Sequence, residues 1–223
     1  MSRRIQNQRV PPLNKVTVPF CGGRVSPWMA AWMAAVGLLL LGCATIDDLS
    51  VESYRAVGLS GATLKTQTIG LLPMFGKGEN RIYLGPADQI FVDVLKRHRP
   101  DRIVMPPEET IRLIRERGLE ATYQSIAKSY SAARAPEEAP LKELGQALGT
   151  RYLLLTELQG IEIAEGATQV RLRARLWDTE RGDTLWEGIG EGRGYVFFIF
   201  PWTPSSIEKT LAVASRGLSL RLP

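Results

Sequence analysis

The sequence predicts an α/β fold of the α+β kind, in which a mixed sheet of about five strands has helices packed on it. Three observations lead to this fold class. Short apolar runs alternate with amphipathic helical segments as far as residue 148. Three strand-like segments then follow one another from residue 152, and an amphipathic helix closes the chain. The predicted order, β-α-β-α-α-α-β-β-β-α, combines a crossover unit with a meander.

The first half of this order places helices between and after two short strands. The run from Thr68 to Pro73 is apolar and ends at a proline, as a buried strand does. Apolar residues then recur at helical spacing from Pro86 to His98, and the residues from Arg102 to Met105 form a second short strand. Three further helices are predicted, beginning at Glu108, Ala121 and Leu141.

The second half is predicted to be a three-stranded meander followed by one helix. The segment from Tyr152 to Ile163 begins as a continuous apolar run and ends in alternation. The segment from Thr168 to Trp177 alternates throughout, so we expect one face of it to be buried and the other to be wet. A third strand runs from Thr184 to Gly190. Ser205 and Glu208 have the spacing of a capping box at the start of the last helix.

The net charge of +5 is located at the front of the chain. Five basic residues precede Cys43 and no acidic residue does, which leaves 23 basic against 23 acidic residues in the remainder. The chain from Cys43 onward is therefore neutral, and the electrostatic argument for a nucleic-acid partner is lost. The two cysteines, Cys21 and Cys43, both lie in the first fifth of the chain and do not make a disulfide framework.

Residues 1–42 are predicted to be a signal peptide. The basic stretch ends at Arg24, and the run from Trp28 to Leu41 is an uncharged apolar segment of 14 residues. A spanning helix needs about 20 residues. Because the basic region is long, either translation starts further along the chain or the front is a dispensable extension.

The residues Leu40-Leu41-Gly42-Cys43 resemble the bacterial lipobox. This resemblance implies diacylglyceryl attachment to the Cys43 thiol, cleavage before Cys43 and acylation of the new amino terminus. Cleavage after Ala44 and an uncleaved anchor are the alternatives. Lipoproteins with Asp after the cysteine tend to stay at the inner membrane, and Ala44 at that place favours the outer membrane. We expect residues 43–66 to be a lipidated tether reaching up to about 75 Å, and residues 67–223 to be a single periplasmic α/β domain.

Three segments carry a resemblance to a known family. They are Ile69-Gly70-Leu71-Leu72-Pro73, Leu148-Gly149-Thr150-Arg151-Tyr152-Leu153-Leu154-Leu155 and Leu176-Trp177-Asp178-Thr179-Glu180-Arg181-Gly182-Asp183-Thr184-Leu185-Trp186. This pattern of strand edges and a turn resembles the outer-membrane lipoproteins related to the curli secretion channel, the TolB amino-terminal domain and the Pel polysaccharide-export lipoprotein. The resemblance implies a small α/β domain that acts as an export channel, a periplasmic ring or a partner-binding scaffold.

The residues that carry chemistry do not suggest an enzyme. His98 is the only histidine, so a histidine-based triad or zinc site has little to work with. Gly76-Lys77-Gly78 lacks the Walker spacing of a phosphate loop. Asp88 with Asp93, and Glu108 with Glu109, are read as helix-start acids and not as acid–base pairs. The sequence therefore predicts no catalytic, cofactor-binding or metal-binding residues.

Two surfaces are candidates for partner contact. The alternating arginines of one strand form a basic row that either meets an anionic partner or is solvated and paired with neighbouring acids: Arg171, Arg173 and Arg175. An aromatic segment offers a contact between protomers, an interfacial membrane contact, or a buried strand under the last helix: Tyr195, Phe197, Phe198, Phe200 and Trp202.

These observations predict a lipid-anchored periplasmic binding or scaffolding protein, an accessory component of an envelope export or assembly machine. Its expected partners are the membrane, through the anchor, proteins of an envelope complex and a possible second copy of the chain, with no nucleic acid. A regulator of a cell-wall or inner-membrane partner, and a carrier of a lipid or glycan, are the alternatives.

Overall fold

A seven-stranded mixed sheet forms the centre of the structure, a computed structural model in which residues 45–55, 61–132, 138–196 and 203–223 are described. The strands are β1 (Thr45–Arg55), β2 (Thr68–Gly76), β3 (Ile103–Met105), β4 (Tyr152–Ala164), β5 (Ala167–Asp178), β6 (Asp183–Val196) and β7 (Thr203–Pro204). The helices are α1 (Gly61–Lys65), α2 (Leu84–His98), α3 (Pro107–Glu116), α4 (Glu120–Ser131), α5 (Glu138–Leu148) and α6 (Ile207–Arg221), with a 3-10 helix (Gly78–Tyr83) before α2. In these ranges no helix has the length and apolar character that crossing a membrane requires.

The strands lie in the order β1-β6-β5-β4-β2-β3, and β7 pairs with the end of β6. Strand β2 runs parallel to both β3 and β4, while all other pairs are antiparallel. The predicted mixed α/β fold, with its crossover unit and meander, is confirmed. The sheet has seven strands and not five, because β1 and β7 add to those that the sequence pattern predicts.

Strand β1 corrects the expectation of a tether over residues 43–66. Along its whole length β1 pairs antiparallel with β6, from Thr45 opposite Val196 to Arg55 opposite Trp186. Its inward side chains Leu49 and Val51 lie against Gly217 of α6. The segment is part of the sheet because its partner is contributed from more than 100 residues away, which no local pattern reveals.

Helices cover both faces of the sheet. One apolar core lies between the sheet and helices α1, α2 and α6, and includes Leu95, Leu172 and Leu218. The other lies under α3, α4 and α5, and includes Tyr130 and Trp177. The expectation that one face of β5 is wet is therefore wrong over its second half, where Trp177 is fully buried beneath α4 and α5.

Helix α6 approaches β6 closely because alternate residues of that strand are glycines. A Cβ at Gly190 would lie 2.7 Å from the carbonyl oxygen of Ala214, and a Cβ at Gly192 would lie 2.6 Å from that of Thr210. Real Cβ atoms do not approach so closely, so the glycines of β6 allow the helix backbone to rest on the strand.

The start of α6 differs by one residue from the predicted capping box. Ser206, with extended backbone angles, is the N-cap, and its hydroxyl accepts a hydrogen bond from the Lys209 amide at 3.3 Å. Ser205 is buried one residue earlier, where its own amide donates to the Gly194 carbonyl. Because the Ser205 amide continues the pairing with β6, the next residue, Ser206, is the one at the start of the helix.

Candidate functional site

The predicted arginine row is divided by its surroundings. The side chains of Arg173 and Arg175 are only 15% and 8% exposed, and both reach the Glu187 carboxylate of β6. The Nε of Arg173 lies 2.7 Å from Oε1, and the Nη2 of Arg175 lies 2.8 Å from Oε2. These two arginines are occupied within the fold, so the row as a whole is not a free face for an anionic partner. The alternative of pairing with acids on a neighbouring strand describes them.

The same two arginines also pack on an aromatic ring. Their guanidinium carbons lie 5.0 and 4.8 Å from the ring centroid of Tyr130, which in turn meets Trp177 edge to face. Burial raises the pKa of the Tyr130 hydroxyl well above its ordinary value. Burial also works to raise the pKa of Glu187, but the hydrogen bonds from Arg173 and Arg175 outweigh it and lower that pKa. The cluster attaches α4 to the sheet.

Arg171 is exposed and lies in a shallow trough of about 410 Å³ on the uncovered part of the sheet. Glu191, directly opposite it on β6, and Glu162 of β4 line the same trough. Acidic and basic side chains therefore alternate there, and the trough carries no excess of positive charge.

The aromatic segment is described only at its first residue. The backbone of Tyr195 pairs with Ile46 on one side and with Pro204 on the other, and its side chain is half-buried. Phe197, Phe198, Phe200 and Trp202 lie outside the described residues, as do Cys43 and the whole of residues 1–42. The prediction that the aromatic segment is a contact surface stays a prediction.

A cluster of polar groups that the sequence analysis did not bring together lies at the carboxyl end of β2. The pairing of β2 with β4 shifts between Leu72 and Phe75, and the two residues in the shift are held by side chains of helices. Asp88 of α2 accepts a hydrogen bond from the Met74 amide at 2.8 Å. Tyr123 of α4 donates to the Pro73 carbonyl at 2.9 Å.

Burial gives both of these side chains unusual titration behaviour. It raises the pKa of the Asp88 carboxyl to about 7; the Met74 hydrogen bond opposes this rise, and the charge of Glu108 adds to it. Burial, with a smaller effect of Asp88, raises the pKa of Tyr123 to about 12. Asp93, which the sequence analysis considered as an acid–base partner of Asp88, is exposed to solvent. Asp88 and Tyr123 therefore hold the irregular part of β2 in place. The one feature of the sequence that indicated this irregularity was Pro73 within an apolar strand.

A basic cleft of about 610 Å³ opens beside this cluster. Lys77 and Arg81 line it from the segment after β2, and Lys128, Ser125 and Gln124 line it from α4. Lys77 also lies near Glu157, whose carboxylate it helps to keep charged against burial. Clefts outside the carboxyl ends of parallel strands are common ligand sites in α/β sheets, and the donors here suit an anionic group.

His98, the only histidine, is the last residue of α2 and is half-buried. It lies in a second, smaller basic groove together with residues of α6. Among the described residues, no group of three or more histidine, cysteine, aspartate or glutamate side chains is placed to hold a metal ion.

No protein-family model and no curated protein matches this chain. Among solved structures, the chain is similar to the PelC dodecamer from Paraburkholderia phytofirmans, with 14% identity, a TM-score of 0.45, and coverage of 78% of this chain and 100% of that one. It is also similar to lipoprotein GNA1162 from Neisseria meningitidis, with 18% identity, a TM-score of 0.40, and coverage of 57% and 83%. The LpoB C-terminal domain from Salmonella enterica gives 14% identity, a TM-score of 0.40, and coverage of 61% and 86%.

PelC is the Pel export lipoprotein that the sequence resemblance named, so the expected kind of α/β lipoprotein domain is present among the similar structures.

Proposed function

We propose that this chain is a lipid-anchored binding or scaffolding protein on the periplasmic face of the outer membrane, an accessory component of an envelope export or assembly machine. The observation that carries the proposal is the direct join between the lipobox-like residues Leu40 to Cys43 and the edge strand of the sheet. We expect no catalytic activity, and we expect the domain to act by binding other molecules through its surfaces.

The join limits how far the domain can stand from the membrane. Strand β1 begins at Thr45, two residues after Cys43. Two extended residues span at most about 7 Å, compared with the reach of about 75 Å that a tether over residues 43–66 would have. An acylated Cys43 would hold the sheet edge at the bilayer surface. This favours partners at the outer membrane over a regulator that reaches an inner-membrane partner.

The aromatic segment supports the same placement. Val196 and Thr203, the described residues on either side of the aromatic segment, are paired with each other. Val196 is also opposite Thr45, so the two described residues that flank the segment lie at the start of the strand that follows Cys43. Aromatic side chains favour the interface between membrane and water. We propose that this segment contacts the membrane beside the lipid, with a contact between two copies of the chain as the alternative.

The anchor is tested by mass spectrometry and membrane fractionation of the full chain and of Cys43→Ala. Because the thiol is the acylation site, we expect a lipid-sized mass in the unsubstituted chain that Cys43→Ala lacks, together with release of the variant from the outer-membrane fraction. Cys21→Ala is the matched control, since it removes the other cysteine and should leave both results unchanged. An unsubstituted chain without added mass would contradict the anchor.

Two measurements on the detergent-extracted chain and on Trp202→Ala distinguish a membrane contact of the aromatic segment from a contact between copies. Light scattering gives the particle size, and a vesicle-binding assay gives the affinity for the membrane. A particle that stays the same size in the variant while its vesicle affinity falls supports the membrane contact. A particle that becomes smaller in the variant contradicts that contact and favours the contact between copies.

A further inference from the structure

A basic groove lies between helices α2 and α6, at the end of α2 that is further along the chain from Asp88. It measures about 230 Å³. Arg97 and His98 line it from the last turn of α2, while Lys209 and Arg216 line it from α6. Its floor is apolar and is formed by the buried side chains of Val94 and Val213. Four of its lining residues are thus arginine, lysine or histidine, and none is acidic.

The cations of this groove are not neutralised within the described part of the chain. There, no carboxylate lies within ion-pair distance of Arg97, Lys209 or Arg216. Asp93 and Glu208 are close in sequence, but they do not line the groove. The larger basic cleft at the carboxyl end of β2 differs, because Glu157 lies near its Lys77.

Two arginines that come shortly after Arg97 in the sequence have structural roles, and they provide a comparison for the arginines of the groove. Arg99 and Arg102 both bind Asp101, and both donate to the carbonyl oxygen of Pro223, at 3.0 and 2.6 Å. They fasten the end of α6 to the loop before β3. Arg97, two residues before Arg99, makes no comparable ion pair or hydrogen bond in the described structure, and it lines the groove.

Charge balance adds to this contrast. From Cys43 onward the chain has equal numbers of basic and acidic residues, so a groove with three permanent cations and no acid is a local excess. Bringing like charges together in a partly enclosed groove is unfavourable, and a bound anion relieves this cost. Guanidinium groups bind phosphate oxygens through paired hydrogen bonds, and two of them match the two negative charges of a phosphomonoester.

We propose that the groove between α2 and α6 is a binding site for a phosphomonoester carried on a small polar molecule such as a sugar. Arg97 and Arg216 bind the phosphate oxygens, Lys209 adds a third positive charge, and the valine floor contacts the carbon skeleton. The groove has more room than a phosphate ion fills, which leaves space for one sugar ring. This inference goes beyond the proposed function and does not depend on lipid anchoring.

The test is isothermal titration calorimetry, in which the heat of binding is measured as the detergent-extracted full chain is titrated with glucose 6-phosphate, inorganic phosphate or glucose at one fixed ionic strength. We expect glucose 6-phosphate to bind, inorganic phosphate to bind more weakly, and glucose not to bind. In the double variant Arg97→Gln and Arg216→Gln, the affinity for glucose 6-phosphate should fall at least tenfold. The matched control is Arg115→Gln with Arg117→Gln, which removes the same charge from exposed positions on and just after α3 and should change the affinity less than twofold.

Several outcomes overturn the proposal. Equal losses in the double variant and its control would mean that overall charge, and not the groove, attracts the ligand. Undiminished binding in the double variant, equal binding of glucose, or no binding of either phosphate compound would each contradict the site. A parallel titration with phosphatidylglycerol vesicles tests the membrane alternative, and binding confined to those vesicles would also contradict the site. If the double variant does not fold, Lys209→Gln replaces it, because that side chain is exposed and should weaken binding severalfold.

Discussion

Asp88 is the residue whose ionisation the fold alters most clearly toward neutral pH. Its carboxyl accepts a hydrogen bond from the Met74 amide in a partly buried position, with Glu108 nearby. Burial disfavours the charged form, and the pKa rises from 3.8 to about 7. The folded chain therefore keeps a proton on Asp88 at pH values where the unfolded chain has lost it.

This difference predicts a pH dependence of stability. The contribution of Asp88 is fully present below the unfolded pKa near 4 and is lost as the pH rises through the folded value of about 7. The unfolding free energy of the detergent-extracted full chain, measured by denaturant titration, should therefore fall by on the order of 3 kcal/mol between pH 4 and pH 8 through this group. Asp88→Asn should remove that fall, because an asparagine side chain does not titrate. The variant should still fold, since the amide oxygen can accept the hydrogen bond from Met74.

Asp93→Asn is the control, because Asp93 lies on the same helix but is exposed. It should keep the slope of the unsubstituted chain. If Asp88→Asn kept that slope too, the raised pKa of Asp88 would be refuted as its cause.

At the scale of elements, the contact between α6 and β6 is made by the absence of side chains. The glycines of β6 lie beneath the helix, and on α6 itself Gly217 lies against Leu49 and Val51 of β1. One helix therefore covers two adjacent strands at backbone distance. The alternation of glycine in residues 188–194 was visible in the sequence, but its purpose depends on a helix that comes later in the chain.

Gly192→Ala tests this packing. The added Cβ would lie 2.6 Å from the Thr210 carbonyl oxygen and 3.0 Å from the Ala214 amide nitrogen, both of them backbone atoms of α6. We expect the unfolding free energy to fall by about 1–3 kcal/mol, the usual cost of overpacking. Denaturant titration at constant pH measures it.

Gly85→Ala is matched to this substitution, because an added Cβ there meets no heavy atom within 4 Å. In the first turn of α2 it should leave stability unchanged or raise it by up to about 1 kcal/mol. Equal effects of the two substitutions would show that the close approach of α6 is not what makes glycine necessary.

At the scale of the whole molecule, the strand directions place the start of β1, two residues after the proposed acylation site, at one end of the sheet. The first residue of β1 and the last residue of β6 lie at the same end, where β7 and the Glu165-Gly166 turn are also found. The loop that contains Pro100 precedes β3, whose first residues pair with the start of β2 at the opposite end. Lipidation at Cys43 would therefore orient the domain with respect to the membrane.

Spin labels on introduced cysteines test this orientation in reconstituted vesicles. A label at Thr203→Cys, which pairs with Val196, should collide with a lipid-soluble relaxing agent because it lies beside the proposed membrane contact. A label at Pro100→Cys, an exposed position at the far end, should respond only to a water-soluble agent. Equal responses at the two positions would rule out a fixed orientation.

The sequence by itself determined the order of helices and strands from β2 to β6 and the helix that follows them, because periodicity, prolines and glycines act within a few residues of each other. The apolar spacing from Pro86 to His98 defines α2 without reference to any other segment. It also predicted the front segment with Cys43, since charge and apolar length define such a signal locally.

Only the tertiary structure decided where distant segments meet. Residues 45–55 became an edge strand because β6 offered a partner, and Arg173 and Arg175 became internal ion pairs because Glu187 and Tyr130 arrive from other elements. The groove between α2 and α6 likewise joins residues more than 100 positions apart. Strand pairing, charge pairing and clefts are non-local interactions, and local sequence patterns do not carry them.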